Sequence, residues 1–340
     1  MSVISSIKRT KLLIDNHGRP INYLRLAVTD RCNLRCFYCM PEDGLNWLSR
    51  KELMSYDEML RICGLLVSMG IQKIRITGGE PFVRKDIMQF LTALAGLDGL
   101  DELTITTNGV LTAPHVAQLK NIGVKSVNLS LDTLDASRFF TITRRDEFSA
   151  VMDTFYVLLK HDIEVKINAV VMEGKNTQDI IPLVELTKEL PVSVRFIEEM
   201  PFNGDGQIDE KPLSWDHIHI LEEIKNAYPS IQKIDDPAYS TAYNYHIPCH
   251  AGSVGIIAAY SRTFCGTCNR IRITPQGTLK NCLYDDGVLN IKELIRSGKN
   301  DDTIKESLLN AFNNRVKDGW EAERLVAHTG MHESMAAIGG

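Results

Sequence analysis

"INYLRLAVTDRCNLRCFYCMP", residues 21–41, opens on a short apolar run and closes on three cysteines within eight positions. The run "YLRLAVT" reads as a strand, and the cysteines follow it directly, spaced C-x3-C-x2-C with no fourth partner. A structural zinc site uses four protein ligands, and a disulfide uses two. An iron–sulfur cubane holds four irons, so thiolates from Cys32, Cys36 and Cys39 would leave one iron open to a small molecule. In parallel-sheet proteins the loops at the C-terminal ends of strands carry the active site, which is where this loop falls. Zinc, or a chance grouping of reduced thiols, is the plainer alternative.

The strand-then-helix rhythm repeats outward from this stretch. "KIRITGG", "LTITTNG", "SVNLSLD", "EVKINAVV" and "VSVRFIEEM" read as further strands. With few charges inside, they are expected to be buried rather than to alternate between a wet and a dry face. Between them "YDEMLRICGLLVSMG", "DIMQFLTALAGL", "PHVAQLKNIG", "FSAVMDTFYVLLKHD" and "TQDIIPLVELTKELP" carry apolar residues at helical spacing. Such alternation implies a parallel sheet, and six units are too few to close an eightfold barrel. The expected class is α/β, a partial, open (β/α)6 TIM-type barrel. After about residue 230 the rhythm changes. "DDPAYSTAYNYHIP" reads as a turn-rich linker, "VGIIAAYS" as a strand, and "IKELIRSG" and "DTIKESLLNAFNNRVKDGW" as helices. This divides the chain into an N-terminal arm (1–17), the barrel (18–230) and a C-terminal domain (231–340).

A length of 340 residues admits this barrel with its appendage, and a hydrophobic content of 44% is enough for a sizeable core. A net charge of −5 argues against nucleic acid or an anionic membrane as partner. Any anionic ligand must then be held by a local basic pocket. The first twenty residues have no apolar core of a signal peptide, and no run approaches 18 apolar residues. A cytoplasmic address is expected, where the eight cysteines stay reduced and serve metal or redox chemistry.

"FCGTCNRIRITPQGTLKNCLYD" supplies a second trio, Cys265, Cys268 and Cys282, spaced C-x2-C-x13-C. Cys249 is a candidate fourth ligand that would turn it into a zinc knuckle, and Cys63, inside an amphipathic segment, reads as a small core residue. Five basic residues, Arg25, Lys73, Arg75, Lys166 and Arg195, sit within predicted strands. Buried Lys and Arg need partners, so these point to an anionic ligand or else to internal salt bridges. Arg270 and Arg272 alternate along "NRIRIT" and so share one face, either facing that ligand or lying on a solvated edge.

The first trio resembles the signature of the radical S-adenosylmethionine (SAM) superfamily. Together with the second trio, "IRITGGEP", "TTNG", "SLD" and "NRIRIT", nearly the whole chain resembles the GTP 3′,8-cyclase family of molybdenum cofactor biosynthesis. The resemblance implies a barrel of the radical SAM kind with a C-terminal extension binding a second cluster. Its cofactors would be two 4Fe–4S clusters and SAM, with a 5′-deoxyadenosyl radical abstracting H3′ of GTP and the ribose carbon adding to guanine C8. It also implies the site residues. Tyr38, Gly79, Ser130 and Met200 would contact SAM, with Glu80 available to an ammonium group. Arg25, Lys73, Arg75, Thr106, Lys166, Arg195, Arg270 and Arg272 would hold GTP. Gly339 and Gly340 would form a tail entering the active-site mouth, although Glu333 and Ser334 stand where relatives commonly carry Arg–Pro. Expected partners are GTP, an external one-electron reductant and the downstream cyclic pyranopterin monophosphate synthase. The oligomeric state is left open, a homodimer being one option. A peptide-modifying radical SAM enzyme and a zinc-binding interaction module are the competing readings.

Overall fold

The computed structural model describes residues 12–200, 213–326 and 333–339. Six parallel strands lie side by side in chain order: β1 (Tyr23–Ala27), β2 (Lys73–Thr77), β3 (Glu102–Thr107), β4 (Ser126–Ser130), β5 (Glu164–Val171) and β6 (Ser193–Glu198). Helices α1 (Tyr56–Met69), α2 (Ile87–Ala95), α3 (Val116–Asn121), α4 (Ala136–Thr143), α5 (Phe148–Lys160) and α6 (Ile180–Glu189) run between them. Local chemistry sets these boundaries. Ser55 accepts from the Glu58 N–H while Glu58 answers the Ser55 N–H, a capping box that starts α1, and Gly70 at φ 123° ends it.

Helix α7 (His217–Ala227) precedes β7 (Gln232–Lys233), β8 (Ala242–His246), β9 (Ser253–Ile257), β10 (Arg270–Ile273), β11 (Thr278–Lys280) and β12 (Leu289–Asn290). Strand β9 pairs in parallel with β6, and β10 pairs in parallel with β1, so the barrel wall is extended at both edges by strands from beyond residue 230. Antiparallel β8 and β7 finish one margin, and β11 and β12 finish the other. The order β12-β11-β10-β1-β2-β3-β4-β5-β6-β9-β8-β7 is linear, so the barrel stays open. Helices α8 (Ile291–Arg296), α9 (Asp301–Phe312), α10 (Gly319–Val326) and α11 (Met335–Ile338) complete the described chain. No helix among the described residues is long and apolar enough to cross a membrane.

The strands are largely buried on both faces, as expected: Leu24, Leu26, Ile74, Ile76, Leu103, Ile105, Val165, Ile167, Val194 and Phe196 enter the core, while the neighbouring positions line a cavity. In a closed barrel the inner face is packed with apolar side chains. Here it is the polar face, and the apolar row points outward to the helices. Two local expectations, for residues 235–248 and 302–320, are corrected. Within the expected linker, residues 242–246 form β8, whose tyrosines suit a strand paired with β9. The stretch 302–320 is two helices, broken at residues 313–318 because Arg315 is drawn into a buried network there. Phe196 is fully buried on the outward row. Phe196→Ala is expected to cost about 3–5 kcal/mol, read as a lower guanidinium midpoint with an unchanged slope.

Candidate active site

The registers of neighbouring strands stack charged residues across the inner wall. Tyr23 pairs with Arg270 on one side and Lys73 on the other, and Arg25 pairs with Arg272 and Arg75. Further round, Thr106 aligns with Asn128, Asn128 with Lys166, and Asn168 with Arg195. All eight residues assigned to GTP therefore line one cavity of about 580 Å³: Arg25, Lys73, Arg75, Thr106, Lys166, Arg195, Arg270 and Arg272. They come from five strands, β1, β2, β3, β5 and β6, together with β10.

This cavity is short of negative charge. Lys73 pairs with Glu102 at 2.7 Å and Lys166 with Glu164 at 2.9 Å. Among the described residues Arg75 hydrogen-bonds the Thr104 hydroxyl at 3.4 Å and Arg270 the Cys268 sulfur, also at 3.4 Å, and neither is paired with a carboxylate. Nε of Arg25 and of Arg195, Oγ1 of Thr106 and Oδ1 of Asn128 and Asn168 are buried without a hydrogen-bond partner. Burial pulls Arg25 down to about 10 and Arg272 down to about 9, with the like charges of Arg25, Arg75 and Arg270 adding to the effect. A buried polar group without a partner is costly, and so is a crowd of cations. An anion with many oxygens relieves both.

A second cavity of about 190 Å³ adjoins the first, the two sharing Thr106, Asn168, Ile197, Met200 and Met335. It is lined by Cys32, Cys36 and Cys39, and by all four residues assigned to SAM, Tyr38, Gly79, Ser130 and Met200. Gly79 is glycine for a steric reason, since a Cβ there would overlap the Arg31 carbonyl oxygen. The bare backbone lets the Gly79 N–H bond Thr29 O at 2.8 Å and the Glu80 N–H bond Arg31 O at 2.8 Å, fastening the cysteine loop to the end of β2. The Tyr38 hydroxyl donates to Asp132 at 2.8 Å. Glu80 is fully buried and accepts from the Thr107 hydroxyl and the N–H groups of Phe82 and Asn108. Contrary to the sequence expectation it does not line the cavity but braces the wall behind it. Burial raises its carboxyl to about 7.

Cys265, Cys268 and Cys282 line the far side of the larger cavity. Cys249 lies apart from them, exposed in the turn between β8 and β9, and Cys63 is buried in α1. Both trios border a cavity, and cysteine thiolates are the ligands that iron–sulfur clusters take. Zinc draws its sulfur ligands to about 2.3 Å, and no three Cys, His, Asp or Glu side chains among the described residues close up enough to hold one ion. Each trio sits on the wall of its own cavity. Burial pushes Cys32 up to about 12 and Cys39 up to about 11, so metal must displace protons there. Cys268 is the opposite case. Burial works to raise it, but the guanidinium groups of Arg270 and Arg315 bring it down to about 6.

Residues 333–339 enter the mouth between the cavities. Glu333 pairs with Lys280 at 2.7 Å, and the Ser334 hydroxyl donates to Cys39 O at 2.6 Å. Through these two bonds Glu333 and Ser334 anchor the tail. Met335 lines both cavities, Ala336 the smaller one, and Arg272 donates to Gly339 O. Gly339 sits at φ 79°, where an added Cβ would overlap the Thr77 hydroxyl. Gly340 lies outside the described residues.

Several wall residues carried no separate signal in the sequence. Asn108 donates to Cys32 Sγ at 3.6 Å, and Asp132 holds Tyr38 and the Val170 N–H. Both belong to the quoted "TTNG" and "SLD" runs, so motif membership could have found them. Glu198 is fully buried and accepts from His217 and Ser261, tying β6 to the loop that leads to Cys265. No pattern in the sequence distinguishes it.

Residues 26–187 match the model of the Radical SAM superfamily, and residues 192–320 match that of Molybdenum Cofactor Synthesis C. The mitochondrial GTP 3′,8-cyclase of Arabidopsis thaliana is 40% identical over 94% of this chain and 80% of its own. The GTP 3′,8-cyclase of Syntrophomonas wolfei is 39% identical over 92% of this chain and 97% of its own. Among solved structures, Streptococcus suis SuiB bound to S-adenosylmethionine aligns with a TM-score of 0.61 at 16% identity, covering 88% of this chain and 68% of that one. At that identity the likeness concerns the fold alone.

Proposed function

Because this chain belongs to the GTP 3′,8-cyclase family of the radical SAM superfamily, we propose that the two adjoining cavities carry out the family's cyclisation of GTP, the first step of molybdenum cofactor biosynthesis. The observation that carries this reading is the shared wall: a basic cavity lined by one cysteine trio meets a smaller cavity lined by the other. When bound at the first trio, a cluster and SAM would supply the radical chemistry that opens a C–H bond of GTP, and the external reductant would supply the electron that closes the cycle.

The chain's own residues bind and orient. Cys32, Cys36 and Cys39 hold the first 4Fe–4S cluster, and Cys265, Cys268 and Cys282 hold a second. Tyr38, fixed by Asp132, and the backbone of Gly79 and Met200 seat SAM with Ser130. The arginines fork onto phosphate oxygens, a geometry that suits guanidinium better than ammonium. Lys73 and Lys166, each already paired with a carboxylate, are weaker attractors than the arginines. Thr106, on the common wall, can touch either ligand. Holding two reactants against one wall is what a radical transfer needs, because proximity replaces an encounter that solvent would quench. The tail, through Met335 and Gly339, narrows the mouth and keeps water out.

The reading extends to a lyase-type ring closure, an external one-electron reductant, delivery to the cyclic pyranopterin monophosphate synthase, a cytoplasmic address, a possible assembly into homodimers left to measurement, and the division at residue 230. Protein reconstituted with iron and sulfide under argon, then given SAM, GTP and dithionite, is expected to yield 5′-deoxyadenosine and a cyclised nucleotide in step. SAM cleavage that ignores GTP and gives no cyclised product would remove the proposal in favour of another radical SAM chemistry.

A further inference from the structure

A buried charge cluster behind the second cysteine trio takes no part in holding GTP. Asp15, Arg19 and Arg315 are 5%, 6% and 4% exposed. Asp15 accepts from Arg19 Nε at 2.7 Å and from Arg315 Nη1 at 3.0 Å. The turn that follows Asp15 then grips Arg315 by its backbone: Asn16 Nδ2 lies 3.1 Å and His17 Nε2 2.9 Å from Arg315 O, and Arg315 N–H donates to Asn16 Oδ1 at 3.1 Å. A residue from the beginning of the chain and one from the break between α9 and α10 are thus locked together.

Every remaining bond from this pair of arginines goes to a segment that carries a second-trio cysteine, or to its support. Arg19 Nη1 donates to Cys265 O at 3.2 Å and to Lys317 O at 2.6 Å, and Nη2 to Val316 O at 2.8 Å. Arg315 donates to Cys268 O at 3.3 Å, to Arg270 O at 2.9 Å and to Asn281 O, next to Cys282, at 3.1 Å. Its Nη2 also lies 3.9 Å from Cys268 Sγ, which Arg270 approaches from the other side at 3.4 Å. The three cysteines lie on two loops at the open end of the β10–β11 hairpin, beyond its last paired residues. Fixing them takes a group with several donors in a rigid fork, which is what guanidinium offers.

The charge count points the same way. Asp15 faces two guanidinium groups and Arg270 adds another cation beside Cys268, while on the trio's side Asp285 accepts from the Cys282 N–H at 2.7 Å and Asp318 acts on Cys265. Buried charge without a counter-charge is costly, so the guanidinium groups of Arg270 and Arg315 call for an anion at Cys268. Thiolates ligating an iron–sulfur cluster supply it.

We infer that Asp15, Arg19 and Arg315 are positioning residues for the second cluster: they pre-set its cysteine loops, and Arg315 tunes its potential through the N–H group directed at Cys268 Sγ. This rests on the two-cluster reading above. Outer-shell partners of metal ligands typically change metal affinity about 10–100-fold, and hydrogen bonds to cluster sulfurs and net charge set cluster potentials.

The test uses the full chain carrying Cys32→Ala, Cys36→Ala and Cys39→Ala, which leaves only the second site, loaded under argon at limiting iron. Adding Arg315→Met is expected to cut iron and acid-labile sulfide several-fold and to move the midpoint of the remaining cluster, followed by electron paramagnetic resonance, in the negative direction. Arg315→Lys, which keeps the charge but loses the fork, should recover part of both. In the reciprocal background, with Cys265, Cys268 and Cys282 replaced by alanine, Arg315→Met must load the first cluster normally. Loss of iron there as well would mean a general folding defect and would overturn a local role. Equal loading and an equal potential with Met at position 315 would overturn it too, while the two-cluster reading stood. If the triple-alanine parent takes up no iron, the two-cluster reading fails and takes the inference with it.

Discussion

Protein carrying Gly339→Ala is expected to cleave SAM yet to cyclise GTP about a hundredfold more slowly, the scale of loss that a misplacement of about 1 Å produces in an oriented reaction. The cause is steric and conformational together. Gly339 lies at φ 79°, a region open to glycine and strained for alanine. The new Cβ would also overlap the Thr77 hydroxyl and come within 2.9 Å of the Ala27 Cβ, both on barrel strands that cannot yield. The tail must therefore back out, dragging Gly339 O away from Arg272 and shifting Met335 on the wall common to both cavities. Global stability should barely move, because the tail helix is only four residues long. The measurements are 5′-deoxyadenosine and cyclised product per turnover, with a thermal melt alongside. Product formation at the parental rate would show that the tail has no part in the reaction.

Arg25→Ala is expected to raise the KM for GTP about 10–100-fold, corresponding to the loss of a charged hydrogen bond worth about 1.5–3 kcal/mol. Removing Arg25 leaves the buried Tyr23 hydroxyl without that partner, but it breaks no ion pair among the described residues, and Arg25 Nε is unsatisfied there. Its neighbour across the strand pair, Arg272, behaves differently. That side chain faces the same cavity and also holds Gly339 O, so Arg272→Ala should lower kcat as well as raise KM. The two residues are register partners on β1 and β10, close enough to share one phosphate group, and the double variant should lose less than the sum of the two single losses. Arg25→Lys is expected to recover only part of the affinity, because ammonium cannot replace the fork. Titration calorimetry with GTP separates binding from turnover. GTP affinity unchanged in Arg25→Ala would remove Arg25 from the binding site and weaken the case for the whole basic wall.

SuiB has the same architecture at 16% identity, whereas the cyclases match near 40% over almost the entire chain. The likeness to SuiB concerns the fold alone, and the inner face of this chain is basic. Arginines on β1, β2, β6 and β10 converge where a peptide substrate would need no such charge.

The six barrel strands and both cysteine trios were legible in the chain alone, because each signal is local. A β-branched run, a glycine after a helix and a C-x3-C-x2-C loop state their geometry within a few residues. The basic residues were legible too, since charge inside a strand has few structural excuses. Less was legible wherever partners are far apart in sequence. Burial of the strands on both faces was legible, but that the inner row faces a cavity was not, because a polar inner row looks like any mixed strand until the barrel curves round it. Strand β8 was missed because its stability comes from pairing with β9. The bracing of the wall by Glu80, which accepts from Phe82, Thr107 and Asn108, was not legible either.

Sequence by itself determined which thiols and which cations this protein has to work with, and that they follow strands of a parallel sheet. Tertiary structure alone decided that the two trios face cavities with a common wall, that the tail enters between them, and that Asp15 meets Arg315 across 300 positions of chain. The physical reason is range: backbone propensity and ligand spacing act between neighbours, whereas burial of charge is settled only when distant segments close around it.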